Sequence, residues 1–362
     1  MAILKAAFVG CGGIANNKHL PALKHIPEVE CVAFCDIIPE RAERTAKEYG
    51  TPDAKVYTDY QEMITSHPEV DIVYVCTPNR SHAEISIFAL DAKKHVMCEK
   101  PMAICGEEAR AMCEAAKRNG KKLTVGYQNR QLGSSLWLKK ACETDELGEI
   151  YFAKAHALRR RAVPTWGVFL DAYNQGGGPL IDIGTHALDM TLWMMNNYRP
   201  KYAVGTTFRK LADQKETGNA WGDWDPEEFT VEDSAFGFVV MENGATIILE
   251  SSWALNTEDE GEAQTTLCGV KAGATTHKGG VRVNGVKFGK KYTEIPEFAA
   301  AGVDYFDGAT ADPSVLEQRQ WIDALLQEKD PCVLPEQACV VTEILEAIYE
   351  SAKTGQPVYF NK

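Results

Sequence analysis

The chain has 362 residues and no run of about 18 apolar ones, so the sequence predicts no membrane span. It has no basic excess: the formal net charge is -13, which favours solubility and speaks against nucleic acid or an anionic membrane as a main partner. It has no Cys-x-x-Cys pair. Its eleven cysteines are odd in number and scattered, which fits free thiols in a reducing cytoplasm better than disulfides or a zinc cluster. The start, Met1-Ala2-Ile3-Leu4-Lys5, lacks the basic stretch and apolar region of a secretion leader. No internal repeat is visible. What remains is an ordinary globular composition, 45% hydrophobic and 25% charged, in a length that suggests two domains.

The apolar run Ala6-Ala7-Phe8-Val9 reads as a buried strand, and Gly10-Cys11-Gly12-Gly13-Ile14-Ala15 follows at once. A tight turn, a backbone open to a pyrophosphate and a helix start are what a dinucleotide-binding unit needs. Ala15 stands where a third glycine is usual. A second strand, Val29 to Cys35, ends in Asp36, close to the ~20-residue spacing expected of the acid that binds the adenosine ribose hydroxyls. A carboxylate there repels a 2′-phosphate, so the cofactor reads as NAD rather than NADP, although Arg41 and Arg44 follow closely. The alternative for Asp36 is a helix N-cap ahead of Pro39. Strands at 71–76, 94–98 and 122–126 then alternate with helices at 41–49, 60–66, 81–92 and 107–119, which predicts a parallel, doubly wound sheet. Ligands bind beyond the carboxyl ends of such strands. Thr77-Pro78-Asn79, Glu99-Lys100-Pro101 and the stretch from Tyr127 through Gln128 to Arg130 fall there.

The stretch Gly176-Gly177-Gly178-Pro179 opens a second candidate site. Three glycines free the backbone and let a ligand approach, and Pro179 suits a first helical turn. Leu180, Ile183, Ala187, Met190, Thr191 and Met194 recur at helical spacing, while Asp182, His186 and Asp189 share another face. Gly184 leaves that face open. Acid and imidazole ligands suit a metal, but no dedicated ligand motif is present, so a hydrogen-bonded catalytic site with no metal is favoured over a metal centre. Further on, Tyr151 to Leu158 alternates like a strand. Asn243-Gly244 and Asn284-Gly285 each sit between strand-like runs and read as hairpin turns. Ser314 to Glu328 and Pro335 to Thr354 read as closing helices. The polar segment from Asp213 to Asp233 reads as a loop whose Trp221 and Trp224 are able to stack on a sugar face or to fill a subunit contact. Arg159 heads an arginine run suited to an anionic substrate group or to a solvated strand end. Trp166 reads as site lining or core.

The ordered set of the Gly10–Ala15 loop, Cys76-Thr77-Pro78-Asn79 with His82, Glu99-Lys100-Pro101, and Gly176-Gly177-Gly178 through Asp182, His186 and Asp189 resembles the glucose–fructose oxidoreductase/inositol dehydrogenase (Gfo/Idh/MocA) family over nearly the whole chain. The resemblance implies an α/β chain: a Rossmann domain, here 1–126, then an α/β domain with an open, mainly antiparallel sheet, 127–362, whose last helices are able to pack back on the first. It implies a nicotinamide-dependent reaction on a sugar or cyclitol, and a homodimer or homotetramer formed through the sheet face. It also puts His82 near the cofactor and Lys100, Asp182 and His186 together at the substrate.

Oxidising a secondary alcohol needs a base and a hydride acceptor. Lys100 qualifies as base if burial and the charge of NAD⁺ lower its pKa; a lysine paired with Glu99 is the alternative. His186 has the intrinsic pKa for proton transfer, and Asp182 is able to orient a substrate hydroxyl. The expected catalytic residues are Lys100, His186 and Asp182. The expected cofactor contacts are Gly10, Gly12, Gly13, Ile14, Asp36, Thr77, Pro78, Asn79, His82, Glu99, Lys100 and Gln128. The expected substrate contacts are Lys100, Arg159, Trp166, Asp182, His186 and Trp224. Together they predict a cytoplasmic NAD-dependent dehydrogenase that converts a ring hydroxyl of a pyranose or glycoside to a ketone, with the 3-position taken from the resemblance. A redox-assisted glycosidase with bound NAD, an inositol dehydrogenase and a non-catalytic NAD sensor are the rival readings.

Overall fold

The computed structural model describes residues 3–277, 280–298 and 312–360. Met1 and Ala2, two of the five residues read as lacking a leader, lie outside the described residues. The chain divides into two compact units, one holding the chain up to Gln128 with a later segment ending at Cys339, the other beginning at Asn129 and resuming at Val340.

In the first unit, β1 (Leu4–Val9), β2 (Val29–Cys35), β3 (Lys55–Tyr57), β4 (Ile72–Val75), β5 (His95–Cys98) and β6 (Leu123–Val125) form a six-stranded sheet in the order β3-β2-β1-β4-β5-β6. Every pairing in it is parallel. The strands are near-continuous apolar runs because helices cover both faces of such a sheet. Phe8, Phe34, Ile72, Tyr74 and Met97 are buried in its core, and Phe8 stacks on Tyr74 with centroids 4.5 Å apart. The order reverses direction at β1 and β4, so the loops after these strands flank the topological switch point where a dinucleotide binds.

The second unit carries a nine-stranded mixed sheet of β7 (Ile150–Leu158), β8 (Pro200–Phe208), β9 (Ser234–Met241), β10 (Thr246–Ser252), β11 (Gly261–Gly269), β12 (Ala272–His277), β13 (Gly280–Lys287), β14 (Lys290–Glu294) and β15 (Val358–Tyr359). Only β7 and β10 pair in parallel; the other seven pairings are antiparallel. The Asn243-Gly244 turn joins β9 to β10, with Gly244 at φ 88°. The second expected hairpin is displaced. Asn284-Gly285 lies inside β13, paired with Gly273 and Ala272, and the turn falls at Phe288-Gly289, both at positive φ. Gly285 is needed mid-strand, because a Cβ there would stand 2.9 Å from the Tyr292 ring of β14. A helix over Thr185–Met195 lies against this sheet. The chain then returns to the first unit with a helix over Pro313–Leu326, and a helix over Pro335–Thr354 precedes β15.

Candidate active site

Glycine is dictated at Gly10, where φ is 91° and a Cβ would lie 2.6 Å from the Cys76 carbonyl carbon. This contact brings the loop after β1 against the end of β4. Gly12 and Gly13 differ: an added Cβ meets nothing within 4 Å at Gly12 and only Asn17 Nδ2, at 3.7 Å, at Gly13. Ile14 beside them is exposed, and Ala15 is fully buried, as its place against the sheet requires. Asn16 Nδ2 donates to the carbonyls of Cys11 and Gly12, both at 2.9 Å, and braces the loop. Burial, aided by Asp36 and Cys35, pushes the Cys11 thiol up to about 12, so it is inert.

Asp36 is not a helix cap; Ile38 holds that place. Its carboxylate accepts the Cys11 N–H at 2.8 Å and the Ile38 N–H at 2.9 Å. A carboxylate has about four lone-pair sites, so two remain for hydroxyls. Thr77 Oγ1, at the end of β4, is buried and makes no hydrogen bond among the described residues. Open glycines, a buried hydroxyl with no hydrogen-bond partner among the described residues and a fixed carboxylate are the donor and acceptor set that a dinucleotide fits. Pro78 is exposed and Asn79 buried beside them.

Three of the expected cofactor contacts also have partners within the protein. His82 is fully buried with Nδ1 2.8 Å from the Pro101 carbonyl and Nε2 2.9 Å from that of Thr77, so it ties the loops after β4 and β5 together. Burial lowers its pKa although both carbonyls oppose the shift. Glu99 turns inward: Oε1 is 2.7 Å from Lys18 Nζ and 2.8 Å from His19 Nε2, and Oε2 accepts the Lys100 N–H at 3.0 Å. Gln128 Oε1 accepts from Lys18 at 3.2 Å. The Lys100–Pro101 peptide is cis, and Lys100 itself is half-buried.

Lys18 and His19 escaped the sequence reading, as did their remote partners. Lys18 also lies 3.0 Å from Glu317, and His19 Nδ1 lies 2.9 Å from Gln318 Nε2, whose Oε1 accepts from Tyr74. Burial disfavours the Glu99 charge, but Lys18 and His19 overcome it and hold the carboxyl well below its ordinary range. Glu317, facing the same ammonium without the other donors, is left raised by burial. Burial disfavours the Lys18 charge too, and Glu317 and Glu99 together raise it. The one local signal was a lysine on the otherwise buried face formed by Ala15, His19 and Leu20.

In the second unit, the glycine triplet serves packing more than approach. Gly176 ends a short helix at φ 81°. A Cβ at Gly177 would overlap the Tyr349 hydroxyl, and one at Gly178 the Glu232 carbonyl. Glu232 accepts the Gly178 N–H at 2.8 Å and the Leu180 N–H at 3.2 Å, and Tyr349 Oη donates to it at 2.8 Å. This cluster caps a helix that begins with a π-turn, Leu180–Gly184, and continues as the α-helix Thr185–Met195. Gly184 is not open to approach; it lies on β10, where a Cβ would be 3.0 Å from Ser251 Oγ.

From Leu180 to Leu192 every residue is buried except His186, which is half-buried. Asp182 Oδ2 accepts the indole N–H of fully buried Trp253 at 3.0 Å. Asp189 leaves the expected functional face for the core, where Arg130 donates to its two oxygens at 2.9 and 2.6 Å. Burial raises the Asp189 carboxyl and the guanidinium opposes that rise.

Two of the expected substrate contacts have partners within the second unit. Trp224 is not an exposed indole: it is 5% accessible, and its N–H donates to the Ala212 carbonyl at 2.7 Å. Arg159 is committed to Glu262, with Nε and Nη2 at 2.5 and 2.8 Å from its two oxygens. Its guanidinium lies 5.2 Å from the Trp221 ring centre, and Trp221 meets Trp166 edge-on at 5.0 Å. The structure thus joins Arg159, Trp166 and Trp221 and keeps Asp182 and His186 on one helix. Lys100 belongs to the first unit, the other five to the second.

Sequence profiles of two matching domains cover the chain: an oxidoreductase family domain with NAD-binding Rossmann fold over residues 4–127, and that family's C-terminal alpha/beta domain over residues 139–360. The chain belongs to this family, Gfo/Idh/MocA. It is an NAD-dependent oxidoreductase, and NAD is its cofactor. When bound, NAD supplies the hydride acceptor. A similar protein is the D-glucoside 3-dehydrogenase of Escherichia coli (strain K12), 36% identical over 98% of this chain and 97% of that one. Two solved structures share the fold of this Gfo/Idh/MocA chain. The oxidoreductase domain protein from Kribbella flavida has a TM-score of 0.86 and 22% identity, over 100% of both chains. Levoglucosan dehydrogenase in complex with NADH and L-sorbose has a TM-score of 0.84 and 20% identity, over 99% of both. Among the described residues no helix is long and apolar enough to cross a membrane.

Proposed function

We propose that this enzyme oxidises a ring hydroxyl of a pyranose sugar or glycoside to a ketone, at the 3-position, with NAD as the hydride acceptor. The observation that carries the reading is the helix of Asp182 and His186. One half-buried imidazole interrupts the buried stretch from Leu180 to Leu192, one turn beyond a carboxylate held by an indole N–H. An acceptor-only carboxylate suits a sugar hydroxyl that must donate. The full-length likeness to a protein named D-glucoside 3-dehydrogenase supports the substrate class and the position. In this reading Lys100 and His186 are the candidate proton acceptors and Asp182 orients the hydroxyl. The Gly10–Ile14 loop, Asp36 and the Thr77–Asn79 loop hold the cofactor. Glu99, His82 and Gln128 act behind these contacts.

The test is purified enzyme with NAD⁺ and a panel of glucosides, free sugars and cyclitols, followed at 340 nm and by product analysis. NADH with a 3-keto-glucoside is expected. Turnover of cyclitols alone would mean an inositol dehydrogenase, aglycone release without net NADH a redox-assisted glycosidase, and NAD binding without turnover a sensor.

We further propose self-association through the open face of the larger sheet and a cytoplasmic location. On that face Phe238 lies between Val204 and Ile248, Val240 between Tyr202 and Thr246, and Phe208 packs 6.1 Å from Phe236. A contiguous apolar face of this kind marks an interaction site. Among the described residues no cysteine is in a disulfide, as a reducing compartment favours. Size-exclusion chromatography with light scattering tests the assembly; a monomer would refute it.

A further inference from the structure

A series of rings runs from Asp182 to the surface within the second unit. Trp253, which donates to Asp182, has its centroid 6.4 Å from Phe169; Phe169 is 5.9 Å from Trp166, and Trp166 is 5.0 Å from Trp221. Trp253 is 0% accessible, while the outer Trp166 and Trp221 are 52% and 44% accessible.

Its outer end is held rigidly. The Ala220 N–H donates to the Arg161 carbonyl at 3.0 Å, Asn219 and Val163 exchange bonds at 2.8 and 3.0 Å, and Thr165 Oγ1 donates to the Trp221 carbonyl at 2.9 Å. The buried Trp224 anchors the same loop through Ala212. Two exposed indoles fixed edge-to-face present apolar surface already in place, so little conformational freedom is lost when a ring docks. Arg159 closes one side of Trp221, and its charge is matched by Glu262, so the corner offers no free cation from that residue to an anionic group.

We propose that the Trp166–Trp221 corner is a binding subsite for the aglycone of a glycoside, specifically a neutral, apolar ring attached to the sugar that Asp182 orients. The inference rests on the proposed glycoside oxidation. A subunit contact would use a wide apolar area, such as the open sheet face already provides. A two-indole corner continuous with Asp182 matches one ring.

The test compares phenyl glucoside with methyl glucoside in the native enzyme, Trp166→Ala, Trp221→Ala and the gentler Trp221→Phe. Loss of ring contacts of this kind should raise KM for phenyl glucoside about 10-fold in the Trp→Ala variants and leave KM for methyl glucoside within about twofold. Trp221→Phe should fall between, and it carries the comparison if Trp221→Ala fails to fold. Equal rises for both substrates would overturn the subsite, as would unchanged KM values with a smaller oligomer on size exclusion. If the native enzyme oxidises neither glucoside, the proposed function fails. Calorimetric binding of phenyl glucoside to the native protein and to the same variants then decides the subsite: equal affinity overturns it.

Discussion

Replacing Lys18 by Met tests whether the buried ion cluster of the first unit is held by one cation. Lys18 Nζ stands 2.7 Å from Glu99 and 3.0 Å from Glu317, with all three side chains at most 8% accessible. Methionine fills similar space without charge, leaving two buried carboxylates to share His19. Removing one partner from a buried ionic cluster costs about 3–5 kcal/mol. At about 2–4 °C per kcal/mol for a unit of this size, the melting temperature should fall by about 6–20 °C at pH 7. Stability against pH carries the sharper signature. In the native protein the folded Glu99 pKa is held well below its unfolded value. Its ionisation therefore stabilises the fold above about pH 4.3, and that stability is lost as the pH falls through the depressed folded value. Without Lys18, burial wins and both carboxyls titrate above their unfolded value. Their contribution is then present below about pH 4.3 and lost as the pH rises. The gap between native and variant proteins should thus be widest near neutrality and narrow in acid, and Glu317→Gln added to Lys18→Met should recover part of the loss. Urea denaturation followed by circular dichroism at pH 7 and in acid reads all of this. A loss below about 1 kcal/mol at pH 7, the scale of a surface pair, or a gap independent of pH, would refute the reasoning.

Asp36→Ala should relax the preference for NAD(H) over NADP(H) in calorimetry and loosen the glycine loop that it braces; tighter NADP(H) binding by the native protein would contradict its assigned role. Lys100→Ala and His186→Ala should each lower turnover by about 10²-fold or more while NAD binding persists, the scale of general acid–base groups; near-normal turnover on a confirmed substrate would remove that residue from the mechanism. Asp189→Asn leaves the Arg130 guanidinium buried without its carboxylate. It should cost about 3–5 kcal/mol of stability with little change in turnover of the folded fraction; a selective loss of turnover at unchanged stability would return Asp189 to the active site.

The sequence by itself determined what depends on neighbours in the chain. Strand–helix alternation, the Gly10–Ala15 loop, Asp36 at a strand end and the Asn243-Gly244 turn are local signals with one backbone solution each. The tertiary structure decided the rest, because those outcomes depend on partners far along the chain. Asn284-Gly285 has the composition of a turn, yet Gly273 and Tyr292 hold it inside a strand, where pairing on both sides outweighs a dipeptide preference. The triple glycine reads as a place for a ligand, but Glu232 and Tyr349 fill that space. Trp221 and Trp224 are three residues apart in one polar loop and end in opposite environments, because the Ala212 carbonyl takes the N–H of one indole while Trp166 and Arg159 meet the other at the surface. Nothing near Glu99 in the chain announces that Lys18 and His19 lie against its carboxylate. Charge and hydrogen bonding act over a few ångströms of space, and pattern in a sequence records only distance along the chain.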